Sequence, residues 1–178
     1  MVHKISEYDA RWLSNGLLGK RTPNKKNNPS RDPSLAFVCV RTDMFGHTAS
    51  TTDGYVLQVV DIAKEVDNGL YQLDVEKCEL TLLENSRLKF PDWSTVVPDY
   101  FKFEMDTPLS EHLHRTLPIY EFPNKGKYDK SLVARTFYPR AKLRIRMNEP
   151  TRCIRIDIIR KKIKRQQFSL VMPSMLHR

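Results

Sequence analysis

Residues 140–159 read RAKLRIRMNEPTRCIRIDII, and this stretch decides the fold. Arg140, Lys142, Arg144 and Arg146 alternate with Ala141, Leu143, Ile145 and Met147. A period of two puts the cations on one side of a strand and the apolar groups on the other. Asn148-Glu149-Pro150-Thr151 supplies a turn, with Arg152 beside it. Ile154, Ile156 and Ile158 then alternate with Arg155 and Asp157. The reading is an antiparallel hairpin with one apolar and one basic face. Like charges facing each other across a ladder cost about 0.2–1 kcal/mol per pair. Such a face needs something to neutralise it, and Asp157 can neutralise one cation, leaving several.

The positive charge continues past the hairpin. Arg160-Lys161-Lys162-Ile163-Lys164-Arg165 is a basic loop before a last strand over Gln167–Met172. The candidate polyanion-binding set is therefore Arg140, Lys142, Arg144, Arg146, Arg152, Arg155, Arg160, Lys161, Lys162, Lys164 and Arg165. Arginine prevails over lysine here, and a guanidinium can chelate phosphate oxygens. Residues 161–164 also fit the loose Lys-Lys-x-Lys pattern of nuclear import signals.

The net charge of the 178-residue chain, +9, hides this asymmetry. Residues 1–35 carry seven basic and three acidic groups, residues 36–139 eleven and sixteen, and residues 140–178 twelve and two. The blocks thus stand at +4, −5 and +10, an acidic middle between basic ends. Leu, Ile, Val and Phe make up 47 residues, about a quarter of the chain, which suffices for a core. No apolar run approaches the ~18 residues of a membrane span.

Upstream of the hairpin the pattern stays β. Strands are expected at Leu35–Val40, Tyr55–Ile62, Leu70–Leu83, Tyr100–Met105 and Leu132–Phe137. Asn68-Gly69 is read as the turn joining the second of these to the third. A change of phase near Glu76-Lys77 suggests a bulge. Thr107-Pro108-Leu109 is read as the start of a short helix ending near Arg115.

The N-terminus reads differently. Ser6, with Asp9 three residues on, opens a helix whose apolar side carries Ile5, Tyr8, Trp12 and Leu13, and Asn15-Gly16 stops it. Leu17 and Leu18 extend the apolar character. Trp12, Leu13, Leu17 and Leu18 are the candidate membrane or partner contacts. The next stretch, KRTPNKKNNPSRDPS over Lys20–Ser34, has three prolines and five cations, Lys20, Arg21, Lys25, Lys26 and Arg31. With no large apolar residue it reads as a flexible basic arm suited to a phosphate backbone.

Motifs for chemistry do not accompany these features. The histidines (3, 47, 112, 114, 177) lack HExxH spacing, and the cysteines (39, 78, 153) are odd in number with no CxxC. No GxSxG, glycine-rich phosphate loop or kinase set is found. The expectation is a non-enzyme with no cofactor and no metal. Cys39, Cys78 and Cys153 are expected as small buried hydrophobes in a reducing compartment.

In layout the chain resembles the small matrix proteins of plant rhabdoviruses. The resemblance rests on Trp12-Leu13 and Leu17-Leu18 leading into Lys20–Arg31, and on the basic run Arg140–Arg165. It implies a structural protein that self-associates and bridges ribonucleoprotein to an anionic membrane, in the virion and the host cytoplasm. Two other readings fit a basic arm on a β-rich body: a jelly-roll capsid protein, and an RNA-binding regulator such as a silencing suppressor.

The expected fold class is α+β, β-rich, an antiparallel sheet or partly closed barrel with an N-terminal helix and one short internal helix. The expected organisation is a helix over 1–19, an arm over 20–34 and one β-rich domain over 35–178. The expected partners are RNA or ribonucleoprotein, an anionic membrane and further copies of the chain.

Overall fold

A short strand, β1 (Val2–Lys4), precedes the N-terminal helix, α1 (Glu7–Ser14), in a computed structural model. The structure describes residues 1–17, 33–84, 86–98, 100–108, 119–121, 127–136, 142–149, 152–159 and 165–172. It divides into two compact units, Met1–Asp92 and Trp93–Arg178. The architecture is mostly β, antiparallel, with few helices.

In the first unit the Ser6 hydroxyl accepts from the Asp9 amide at 3.0 Å and donates to the Asp9 carboxylate at 2.7 Å, as the capping pattern predicts. The helix packs its inner side on the sheet, with Ala10, Trp12 and Leu13 buried. The sheet consists of β2 (Val38–Asp43), β3 (Gly46–Thr52), β4 (Val56–Asp61), β5 (Gly69–Asp74) and β6 (Glu79–Leu82) together with β1. Within this unit the strand order is β1-β6-β5-β2-β3-β4.

Several expectations are corrected in this unit. Asn68-Gly69 does not join β4 to β5, because β5 pairs with β2 and β6. Gly69 instead lies in the ladder opposite Val40, where an added Cβ would come within 2.8 Å of Leu82. The residue serves close approach, not a turn. The phase change near Glu76 is not a bulge but a full reversal between β5 and β6. The Asp74 carboxylate accepts from the Glu76 and Lys77 amides there, and Cys78 takes a positive φ of 56°. Strand β3, GHTASTT, escaped the reading because it carries no large apolar side chain, yet its last five residues are buried.

The second unit is built on β7 (Phe103–Pro108), β10 (Lys142–Met147), β11 (Ile154–Ile159) and β12 (Gln167–Val171), in the order β12-β11-β10-β7. A separate pair, β8 (Ile119–Glu121) with β9 (Lys127–Asp129), leads into α2 (Lys130–Ala134). The strand expected over Leu132–Phe137 is instead the end of α2 as far as Ala134, followed by a turn at Arg135 and Thr136. Adjacent Leu132 and Val133 both need burial, and a helix turn turns both inward where a strand would split them. Thr107 and Pro108 do not open a helix either: they end β7, opposite Leu143 and Lys142. Proline is tolerated there because, among the described residues, β7 is the terminal strand of the order. Leu109–Arg115 falls outside the described residues. Neither unit's strand order closes on itself, so the barrel alternative is corrected to open sheet.

Candidate functional site

Strands β10 and β11 pair antiparallel, as the alternation requires. Arg144 faces Asp157 across β10 and β11, and Arg146 faces Arg155. Leu143, Ile145, Met147, Ile154 and Ile156 are buried on the other face. The neutralising partner comes from β7, which is laid along β10 so that Arg144 meets Asp106 and Arg146 meets Glu104.

The result is a ladder of alternating charge across three strands. Arg144 makes a bidentate pair with Asp106, Nε to Oδ1 at 2.9 Å and Nη2 to Oδ2 at 3.2 Å. Its Nε also lies 3.2 Å from Glu104. Arg146 donates from Nε to Glu104 at 2.9 Å and reaches Asp157 at 3.8 Å. Arg155 binds Asp157 through Nε at 3.0 Å and Nη2 at 2.8 Å. The Arg144 guanidinium hydrogen-bonded to Asp106 holds that carboxyl below the usual carboxylate range.

Arg155 is 8% exposed, with its guanidinium 3.9 Å above the centre of the Phe168 ring. Phe168 is met edge-on by Trp93 at 5.9 Å. A cation held this way is spent on the protein itself.

The other polyanion candidates separate clearly. Lys142, Arg152 and Arg165 are exposed. Arg140, Arg160, Lys161, Lys162 and Lys164 lie outside the described residues, as do the arm cations Lys20, Arg21, Lys25, Lys26 and Arg31 and the import pattern over 161–164. Of the candidate contact residues, Trp12 and Leu13 are 1% and 0% exposed, inside the first unit. Leu17 is half-buried, and Leu18 is outside the described residues.

A second feature was not read from the sequence. Met147, Phe103, Ile154 and Val171 lie at one end of the second unit's sheet. The segments leaving that end enclose an open groove of about 300 Å³. Its walls are Val96, Pro98, Tyr100 and Met172, and its polar side is Asn148, Glu149 and Arg152. Val96 is 50% exposed, Tyr100 65% and Met172 39%. Exposed aromatic and thioether groups around a concavity are the chemistry of a docking site.

Lys102 pairs with Glu149 at the mouth, and this holds the Glu149 carboxyl below its usual range and the Lys102 ammonium above its own. Arg152 therefore leaves the rim with a net positive charge. The β-alternation of Phe101, Phe103 and Met105 was visible in the sequence, but its place beside β10 was not. Turn residues such as Asn148 carry no periodic signal at all.

Among the described residues no group of three or more metal-ligating side chains occurs, and no helix is long and apolar enough to cross a membrane. Cys39 and Cys78 are half-buried and Cys153 is buried, all free thiols.

No family model matches the chain, and no curated protein matches its sequence. Solved structures do match in fold. A DNA polymerase sliding clamp from Bacillus subtilis superposes with a TM-score of 0.57 at 13% identity, over 96% of this chain and 62% of the clamp. The Helicobacter pylori beta clamp, solved with diflunisal, gives 0.61 at 10% identity, over 98% and 66%. The Pseudomonas aeruginosa sliding clamp, solved with griselimycin, gives 0.60 at 10%, over 99% and 66%. The chain spans a little under two thirds of the length of these clamps.

These likenesses overturn the resemblance to a rhabdovirus matrix protein, which rested on layout alone. With it go the virion and import setting, the capsid and silencing-suppressor alternatives, and the expected ribonucleoprotein and membrane partners. A basic arm and a basic strand are shared by many polyanion binders, and only the strand order separates them. The chain has the fold of DNA polymerase sliding clamps.

Proposed function

We propose that the chain is a clamp-type accessory protein that keeps a DNA polymerase on duplex DNA and performs no chemistry itself. The observation that carries this is the fold, shared over nearly the whole chain with proteins described as sliding clamps of DNA polymerases. A protein that slides cannot grip base edges, because each specific contact is worth about 1–3 kcal/mol and would halt it. It needs charge facing phosphate that is easily exchanged along the duplex.

The β10 cations are poor suppliers of that charge, since Glu104, Asp106 and Asp157 already hold Arg144, Arg146 and Arg155. The contribution then falls to Lys20, Arg21, Lys25, Lys26 and Arg31, and to Arg160, Lys161, Lys162, Lys164 and Arg165, with Lys142 and Arg152 as exposed additions. The groove beside Tyr100 is the docking place for a segment of the polymerase.

The test is topological. Protein bound to nicked circular duplex DNA is isolated and the circle is cut once. A sliding clamp is expected to leave by the new ends within minutes. Retention unaffected by cutting would show a static binder and overturn the reading.

A further inference from the structure

We propose that β7 is a built-in phosphate mimic, whose Glu104 and Asp106 mask a site for the phosphodiester backbone of DNA made by Arg144 and Arg146 on β10. The inference rests on the reading of the chain as a protein that meets DNA. It adds an autoinhibitory contact, with a binding site that is closed while the chain is free.

The mask fits residue by residue. Asp106 lies opposite Arg144 in the ladder, and Glu104 lies opposite Arg146. Both acids therefore stand on the charged face, two residues apart, as the two arginines do. Arg144 grips Asp106 with Nε and Nη2, each on its own carboxylate oxygen. Arg146 holds Glu104 through Nε at 2.9 Å. A guanidinium fork receives a phosphate by the same two parallel bonds that it gives a carboxylate. A row of two carboxylates on one strand thus fills the places that two successive phosphates would take.

The mask is also exchangeable, and here the two arginine sets differ. Arg155 and Asp157 are closed in beneath Phe168, so their pair is out of reach of a ligand. Glu104 and Asp106 keep 47% and 57% of their side-chain surface in water. Exposed pairs of this kind hold weakly and are screened by salt. The apolar side of β7 adds little grip: Phe103 and Met105 stand opposite the buried Met147 and Ile145, yet remain 45% and 36% exposed. Lys142, exposed at the start of β10, extends the same charged face by one more cation.

The test is duplex DNA binding across a salt series at neutral pH. Glu104→Gln with Asp106→Asn keeps the shape of both side chains and removes the mask. This double variant is expected to bind about tenfold tighter at low salt. Its log–log salt slope should steepen by about 1.8, or 0.9 for each of two phosphates. Glu65→Gln with Glu76→Gln, two exposed acids of the first unit, makes the same change in net charge and is expected to leave the slope as it was. Adding Arg144→Gln and Arg146→Gln to the unmasked chain should cancel the gain. A measurement on the unaltered chain does not depend on how any variant folds. The Nε–H signals of Arg144 and Arg146 are followed by nuclear magnetic resonance while duplex is added. They should stay in place at micromolar duplex and move near the millimolar range, where a free ligand matches a tethered competitor.

If the unaltered chain binds duplex while the unmasked chain gains no more than the Glu65/Glu76 control, the proposal fails and the clamp reading stands. It fails equally if the gain survives the loss of both arginines, or if their Nε–H signals never move. If the unaltered chain binds no duplex at any salt, the clamp reading falls and takes the proposal with it.

Discussion

Arg155 shows how a residue can be placed correctly on a strand and misjudged in role. Alternation put it on the charged face, and that is where it lies. Its burial could not be read, because it depends on Phe168 and Trp93 arriving from other segments. Arg155→Ala is expected to destabilise the second unit by about 3 kcal/mol, since it leaves Asp157 partly buried with a weaker set of partners. Chemical denaturation measures this, and a loss below about 1 kcal/mol would show the pair to be surface-like.

Gly16 presents a steric case. A Cβ there would lie 2.2 Å from the Thr51 hydroxyl and 2.7 Å from the Thr51 carbonyl. That hydroxyl is already committed to the Leu13 carbonyl at 2.6 Å. Gly16→Ala should therefore cost about 1–3 kcal/mol by pushing α1 off β3, read as a lower thermal midpoint. The sequence showed Gly16 as a helix stop but could not show Thr51 beneath it. Cys39 offers a chemical readout of the same unit. Burial pushes its thiol up to about 11, against the pull of Arg41. At pH 8 about one part in a thousand is thiolate. Alkylation should be correspondingly slow until the unit unfolds.

At the level of elements, legibility followed periodicity. The β10–β11 pair was legible because large apolar groups alternate with charge, and β12 because Phe168 and Leu170 alternate with Gln167 and Ser169. Helix α1 was legible from its cap, and Ser6→Ala should cost about 1 kcal/mol of stability. Strand β3 was not legible, since threonine, serine and alanine mark no face. The pairing of β7 with β10 was not legible either, because 33 residues lie between them and pairing over such a span leaves no local trace.

That pairing is sensitive to acid. Asp106 is held low by its bond to Arg144, so its contribution is present above the ordinary carboxylate range. It fades as pH falls through the lowered value. Glu149, lowered by Lys102, behaves likewise. Amide exchange along β7 is therefore expected to quicken below about pH 4. Asp106→Asn should remove part of that acid response, and an unchanged profile would count against the assignment.

For the molecule as a whole, the division of charge matters more than its sum of +9. Within the acidic middle block, Glu104 and Asp106 meet the basic strand of their own chain. Replacing Lys20, Arg21, Lys25, Lys26 and Arg31 with serine should flatten the log–log dependence of DNA affinity on salt by about 0.9 for each phosphate no longer neutralised. Replacing Arg144 and Arg146 should leave that slope nearly unaltered and lower stability instead. The reverse pattern would return DNA binding to the strand.

The charge ladder also bears on the order in which the chain acquires its structure. The hairpin is local and can close early, while β7 must pair with β10 across a long sequence separation that includes β8, β9 and α2. Until it does, Arg146 faces Arg155 with Asp157 as the hairpin's own acid. Salt screens that early repulsion and later screens the attraction to Glu104 and Asp106. Moderate salt should therefore speed refolding and unfolding together, shifting both arms of a denaturant–rate plot upward while moving the equilibrium midpoint little.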